Sequence, residues 1–311
     1  MLYPKGGEFL KKNKRAFLAV DILLLILIIL PIIAAIILKV LFTPASDEVR
    51  IEGAMIYYTL KMPFLGDFPI TESQINSWLV MLSVFWLCLY LTHGLSVKGG
   101  TRRQVLAEWA VEQTEKMVAT NMGSHFGGFA PFIAAVMVLS AFSSLLSLFG
   151  LYAPTSDINI VAGWALLVFM LITYYKCKCG PLQYLKSFAE PVPLLAPLNI
   201  ISEVATPISM AFRHYGNVLS GAVISVLLGY ALTSLSKMLL GWLPGVLGEI
   251  PLLRIGLPAV LSLYFDIFSG LLQAFIFAML TMLYVSGGFP VDLYEQRQAK
   301  KNAKKQAKNQ A

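Results

Sequence analysis

Apolar residues in this chain run in long blocks instead of the half-apolar patterns of surface helices and strands. Four blocks stand clear: Ala16 to Phe42, Ile75 to Leu95, Phe129 to Leu151 and Ile158 to Tyr175, followed by a long apolar C-terminal third. Each is long enough to cross about 30 Å of hydrocarbon at about 1.5 Å per residue. The roughly ten-residue alternation of a membrane β-barrel is missing and no internal repeat stands out, so the backbone must satisfy its own hydrogen bonds as helices. The pattern predicts an all-α, polytopic membrane helical bundle with six membrane elements. Its divisions are a basic start (1–15), a first helix (16–42), a loop (43–74), a membrane domain (75–287) and a Lys-rich tail (288–311).

Composition agrees. Of 311 residues, 57% are hydrophobic and only 13% charged, against about 25% charged in a soluble domain. That excludes a soluble monomer, and 23 Gly, 16 Pro and 3 Cys exclude collagen-like, disordered and disulfide-stapled classes. The net charge of +7 comes from 24 basic residues clustered between the apolar blocks, which is a topology signal and not a nucleic-acid patch. Four clusters read as cytoplasmic: Lys5 to Arg15, the loop with Lys98, Arg102 and Arg103, the stretch with Lys176, Lys178 and Lys186, and the tail from Arg297 to Lys308. The segment Thr43 to Glu72, with five acids against Arg50 and Lys61, and the turn around Asp157 read as outside. Both termini are then cytoplasmic if the first helix is retained. The alternative is a cleaved signal segment, with Thr43-Pro44-Ala45 near the cleavage point, although the apolar run from Ile22 to Leu38 exceeds the usual apolar core of such a leader.

Chemistry-bearing residues outside the C-terminal third say little. Cys88 lies within a span, and Cys177 and Cys179 have no second pair or nearby His to complete a zinc set, so no metal or other cofactor is expected. His93 and His125 read as interfacial residues. Glycine-rich phosphate loops are absent, which argues against a nucleotide bound by this chain.

Between Lys186 and Lys237 the only Lys or Arg is Arg213. A central membrane Arg costs about 2.5–3.5 kcal/mol on insertion scales and usually faces water or a carboxylate. It stays protonated, so it can hold or repel an ion but cannot ferry a proton. Ser202, Thr206, Ser209, Arg213, Asn217 and Ser220 follow one another at gaps of 4, 3, 4, 4 and 3, which is one helical face. Two readings fit: a packing seam of small and hydroxyl residues, or a polar track toward the buried charge, which Arg213 favours. Asp266, Ser269, Gly270 and Gln273 form a second face; Asp266 is a relay for a proton or cation, a counter-ion, or a hydrated residue at the interface. Glu203 is a third candidate, close to Pro191, Pro193 and Pro197. A helix from about Asn199 to Leu240 would run on the order of 60 Å. It must be steeply tilted, or broken near Gly229.

These residues carry a resemblance. The run PISMAFRHYGNVLSG, Pro207 to Gly221, resembles the signature of the membrane a subunit of bacterial-type rotary F-type ATP synthases. LLQAFIFAMLTMLYVS, Leu271 to Ser286, is similar to that family's last helix, and APTSDINI, Ala153 to Ile160, to the turn between its middle helices. PFIAAVMVLSAFSSLLSLFG and PITESQINSWLVML fit more loosely, and the similarity spans roughly Pro69 to Gly287. It implies two long, steeply tilted C-terminal helices in an ion-conducting stator, non-catalytic on its own, in the bacterial cell membrane. Two offset half-channels would open onto a ring of proteolipid c subunits, with peripheral stalk b subunits and lipid as further partners. Arg213 matches the essential arginine that separates the half-channels, Asn217 and Gln273 match polar residues beside it, and Asp266 stands where relatives carry a His or an acid. Ser209, Ser220, Ser269 and Glu203 complete the candidate ion path. Two departures are His214-Tyr215, where a Leu-Phe pair is common, and Ala222, where some relatives place an acid. The competing class is a self-contained secondary transporter with Arg213 clamping an anionic substrate, which calls for paired halves that the sequence lacks; a membrane scaffold would leave Arg213 and Asp266 unexplained. Neither H⁺ nor Na⁺ is singled out as the ion.

Overall fold

A computed structural model describes residues 6–42, 53–62, 66–95, 101–178, 180–189, 192–242, 260–261 and 263–289, with 291, 294, 295 and 299. Lys5, Thr43-Pro44-Ala45, Lys98, Cys179, the start of the last apolar segment at Leu257 and the basic residues of the tail lie outside the described residues.

The fold is an all-α membrane bundle. Its helices are α1 (Gly6–Phe42), α2 (Glu72–Thr92), α3 (Arg102–Met122), α4 (Ala130–Leu145), α5 (Ile158–Cys177), the short α6 (Pro181–Ser187), α7 (Ala196–Leu240) and α8 (Gly270–Gly287). Six segments are long and apolar enough to cross a bilayer: Ala16–Phe42, Glu72–Thr92, Ser124–Phe149, Ile158–Cys177, Pro193–Leu240 and Leu263–Gly287. The four clear sequence blocks fall on the first four of these. The last two are the long C-terminal helices.

Local chemistry sets the boundaries. Thr101 caps α3, its hydroxyl accepting from the Gln104 N–H at 3.4 Å, and Gly123, at φ 83°, ends that helix. Short 3-10 turns, Ser124–Phe129 and Leu146–Phe149, flank α4, and Gly150 closes the second with a left-handed φ of 69°. Asp157 caps α5, its side chain accepting from the Asn159 N–H at 2.9 Å.

Two elements differ from the sequence reading. The expected loop before α2 contains an antiparallel hairpin, β1 (Ile56–Met62) with β2 (Gly66–Thr71). The basic stretch after α2 leads into α3, a mostly polar helix whose Val105, Leu106 and Trp109 are exposed. Hydropathy passes over both because neither is uniformly apolar.

The main core lies where α3, α4, α5, α7 and α8 meet: Val118 and Met122, Phe129 and Ile133, Val168 and Ile172, Met210, then Phe277, Met282 and Val285. α1 packs on α2 and is fastened at both ends. At one end Asp21 Oδ1 accepts from Arg103 Nη1 at 2.7 Å and meets His93 Nδ1 at 2.9 Å. At the other end Lys39 Nζ lies 3.3 Å from Glu72 Oε1.

α7 continues without a break for 45 residues, about 68 Å at the α-helical rise. Gly229 is buried within it, so of the two alternatives the break there does not occur, and length alone demands a tilt. Pro197 stands in the first turn, where its missing N–H costs nothing. Pro207 lies inside the helix and is buried, which leaves the Glu203 carbonyl without its usual donor.

Candidate functional site

The site forms where α7 crosses α8 and the turn before it. One face of α7, with Pro207, Met210, Ala211, His214 and Gly221, is buried against the bundle. A flanking face, about 100° round the helix, carries the polar track outward: Ser202, Ser209, Arg213 and Ser220 are exposed, and Thr206 and Asn217 partly so. Most of the track thus faces away from the bundle, and Asn217 is the member that contacts it. Phe212, 61% exposed, borders Arg213 on that surface.

Asn217 ties the two tracks together. Its Nδ2 donates to Ser269 Oγ at 2.7 Å, and the Ser269 hydroxyl in turn lies 3.0 Å from Asn217 Oδ1. Ser269 ends a π-type turn, Leu263–Ser269, that leads into α8. Asp266 lies within this turn, half-buried, with Ser147 as its hydrogen-bonding neighbour. At Gly270 the backbone approaches α4 so closely that a Cβ would stand 2.7 Å from Ser144 Cβ, which explains why glycine is required. Gln273 is buried one turn further along.

Glu203 stands apart from these groups. Lys176 Nζ donates to both its carboxylate oxygens, at 2.7 and 2.6 Å, and the Tyr184 hydroxyl donates to Oε1 at 3.3 Å. Burial, then the Glu203 charge, holds the Tyr184 hydroxyl above its ordinary range. Glu203 thus marks the Lys176 end of the bundle.

The Asp157 end holds a polar cluster that the sequence reading did not single out. Glu72, 2% exposed, accepts from the Tyr152 N–H at 3.2 Å while paired with Lys39. Asn76 Nδ2 donates to the Tyr152 carbonyl at 2.9 Å, and Ser73 donates to the Asp157 carboxylate. Burial, with Asp157 and Glu72 nearby, raises the Tyr152 phenol. The available signal was an acid at the first position of an apolar span facing another in the Ala153 to Ile160 turn.

Also missed is a hydroxyl ladder on α4. Ser140, Ser143 and Ser144 are buried, and Ser147 Oγ donates to the Ser144 carbonyl at 2.7 Å. Their spacing of 3, 1 and 3 repeats that of the Asp266 track. Ser144 Oγ lies 3.5 Å from Thr155 Oγ1, and Ser140 Oγ lies 3.3 Å from Nε2 of the fully buried His214.

Comparison with known proteins places this arrangement. The family model described as ATP synthase A chain matches residues 74–286. ATP synthase subunit a of Legionella pneumophila (strain Corby) is 26% identical over 239 residues, covering 76% of this chain and 93% of that protein. The Bacillus pumilus subunit a is 32% identical over 217 residues, covering 65% of this chain and 85% of its own length. A Propionigenium modestum protein named ATP synthase subunit a, sodium ion specific, is 29% identical over 237 residues, covering 71% and 74%. The match takes in α2 to α8 and leaves α1 and the hairpin outside it. With six membrane-crossing segments and a family match over most of its length, this chain is an integral membrane protein and belongs to the ATP synthase A chain family.

Proposed function

We propose that the chain is the ion-conducting stator of a rotary ATP synthase, with two offset half-channels and Arg213 between them. The observation that carries this reading is the outward polar face of α7: Arg213 is exposed, while Asn217, one turn on, reaches back to Ser269 beside the Asp266 turn. A clamp for an anionic substrate would need the guanidinium inside the chain's own cleft, and here it faces away.

The surface around Arg213 meets a ring of c subunits, each bringing a membrane carboxylate. A permanent, diffuse cation keeps that carboxylate ionised as it passes and repels a free cation, so ions do not leak straight from one half-channel to the other. The Asp157 end is the outer side and the Lys176 end the cytoplasmic side, in accord with the basic clusters. Asp266, Ser269, Asn217 and Gln273 serve the outer half-channel, and Ser209, with Glu203, lines the inner approach. Ser220 extends the ring-facing track outward. The peripheral stalk b subunits hold the chain against rotation, and ATP chemistry takes place on other subunits.

Arg213→Ala should abolish ATP-driven ion pumping in assembled complexes, measured in vesicles and normalised to complex content. Pumping at the wild-type rate would remove the assignment. Arg213→Lys should fail nearly as badly, because a compact ammonium lacks the planar fork and can lose its proton when desolvated.

A further inference from the structure

Glu203 is the only acid of α7, and it does not stand on the polar track. Ten residues separate it from Arg213, about 15 Å along the axis and about 80° round it. That turns the carboxylate toward the bundle, where the side chain is 16% exposed. Both of its oxygens are already taken there, by the Lys176 ammonium at 2.7 and 2.6 Å, and the Tyr184 hydroxyl adds a longer bond at 3.3 Å. The Lys176 stem reaches this place because Gly288 lets it pass: a Cβ on Gly288 would lie 2.6 Å from Lys176 Cε and 3.0 Å from Cγ. α5, α7 and the end of α8 thus meet at a single ion pair.

The pair is more than the end of α7 needs in order to be held. One turn earlier, Asn199 Nδ2 donates to the Phe188 carbonyl at 2.8 Å, which ties α7 to the segment after α6 without any charge. Well-packed apolar side chains hold two helices together as well as a desolvated ion pair does, so the charges themselves call for a reason. Around Glu203 the charged and titratable groups are Lys176 from α5 and Tyr184 from α6, with Cys177 beside Tyr184. Lys178 is turned instead to the Tyr175 and Tyr294 rings, at 5.3 and 5.4 Å, and the end of α8 brings the Gly288 backbone. One carboxylate and one ammonium therefore cancel, right beside the inner part of the track, where Ser202 is exposed and Thr206 partly so.

We propose that Lys176 is a tethered counter-cation that sets how tightly the inner approach holds the ion it passes. The proposal rests on the stator reading and deepens it. With both carboxylate oxygens on its ammonium, Lys176 leaves Glu203 no unpaired charge to offer a passing cation, so the ion meets hydroxyls and carbonyls and moves on. Without Lys176 the bare carboxylate becomes a well beside Ser202 and Thr206, where a cation binds more tightly and leaves more slowly. Without Glu203 the bare ammonium repels the same cation. Lys176 acts through Glu203 and does not touch the ion, which makes it a positioning residue. The argument is one of unit charge, and it holds for a proton and for an alkali cation alike.

The test uses complete complexes in proteoliposomes with the ATP-hydrolysing side outward, so that the bath meets the inner approach. ATP-driven transport per assembled complex is followed against bath pH, and against bath Na⁺ at fixed pH, to give a maximal rate and a half-saturating concentration for the ion that drives it. Lys176→Gln should lower the half-saturating concentration by about tenfold or more, the effect of removing an opposite charge at this distance, and slow the maximal rate severalfold. Glu203→Gln should move the half-saturating concentration the other way, and the two substitutions together should bring it back to within about threefold of the wild type. Lys176→Arg, which keeps the pair, should leave it in place. Gly288→Ala crowds the Lys176 stem and should shift it in the direction of Lys176→Gln, by less. Unchanged half-saturation in both single variants, or shifts of the same sign, would overturn the proposal. So would a doubly substituted complex that assembles and does not transport, which would make Glu203 an obligatory station for the ion. Loss of assembled complex in Lys176→Gln with normal half-saturation in the complexes that survive would overturn it too, by showing a packing role. None of these outcomes touches the stator reading, which fails separately if Arg213→Ala pumps normally.

Discussion

Asp21 gives the sharpest test of how α1 is held. Its carboxylate takes Arg103 Nη1 at 2.7 Å and meets His93 Nδ1 at 2.9 Å, with the Arg103 and Asp21 side chains only 13% and 19% exposed. Breaking a fully buried pair costs about 3–5 kcal/mol. Here the loss is smaller, because Arg103 keeps its Nη2 bond to the His93 carbonyl at 2.6 Å and lies over Phe17 and Tyr90 at 5.1 and 5.2 Å. Asp21→Leu should therefore destabilise the chain by about 1.5–3 kcal/mol, the range for hydrogen bonds to charged groups. Asp21→Asn, which retains one acceptor, should lose about 1–2 kcal/mol. The assay is reversible unfolding by SDS in mixed micelles, run as a double-mutant cycle with Arg103→Gln. A coupling energy of about 1–2 kcal/mol is expected. Additivity within about 0.5 kcal/mol would refute the pairing and leave the Lys39–Glu72 pair and packing on α2 to hold the helix.

Two further outcomes follow from the site. Asp266→Asn should slow transport strongly while leaving the amount of assembled complex unchanged, and Asp266→Glu should retain a large part of the rate; loss of assembly with a normal rate per surviving complex would identify a structural counter-ion instead. Glu203→Gln should lower the Tyr184 pKa only partway, because burial is the larger cause and the Glu203 charge the second, as followed by phenolate absorbance. The sign is that of a raised acid: the folded state holds the Tyr184 proton longer than the unfolded chain, so stability is intact below about pH 10 and falls as pH rises through the folded value.

Membrane spans announce themselves because a bilayer demands about 20 consecutive apolar residues, and that demand made all six legible. Arg213 was legible for the converse reason, as a charge where none is tolerated without cause. Burial was not. Along α7 the face toward the bundle and the face away from it are both largely apolar, so spacing located the polar track but could not tell that His214 turns inward while Arg213 turns out. The Ser140 to Ser147 ladder carried the same 3, 1, 3 signal as the Asp266 track but lacked a charge to draw notice. Glu72 was counted with the acids of the preceding loop, because its pairing with Lys39 joins two helices far apart in sequence. β1 and β2 contain charged residues and Pro69 and are too short for periodicity to speak.

The outward stripe of α7 also bears on how the protein is made. A chain that has finished folding but has no neighbour over that helix leaves Arg213, Ser202, Ser209 and Ser220 against acyl chains, with a guanidinium burden of about 2.5–3.5 kcal/mol on insertion scales. On the proposed reading, the uncovered fold is therefore costlier in lipid than the covered one. Surplus copies would present this stripe to membrane proteases as the mark of an unassembled molecule. If the ring covers that stripe as proposed, synthesis matched to that of the ring, or insertion directly beside it, would spare the chain this cost.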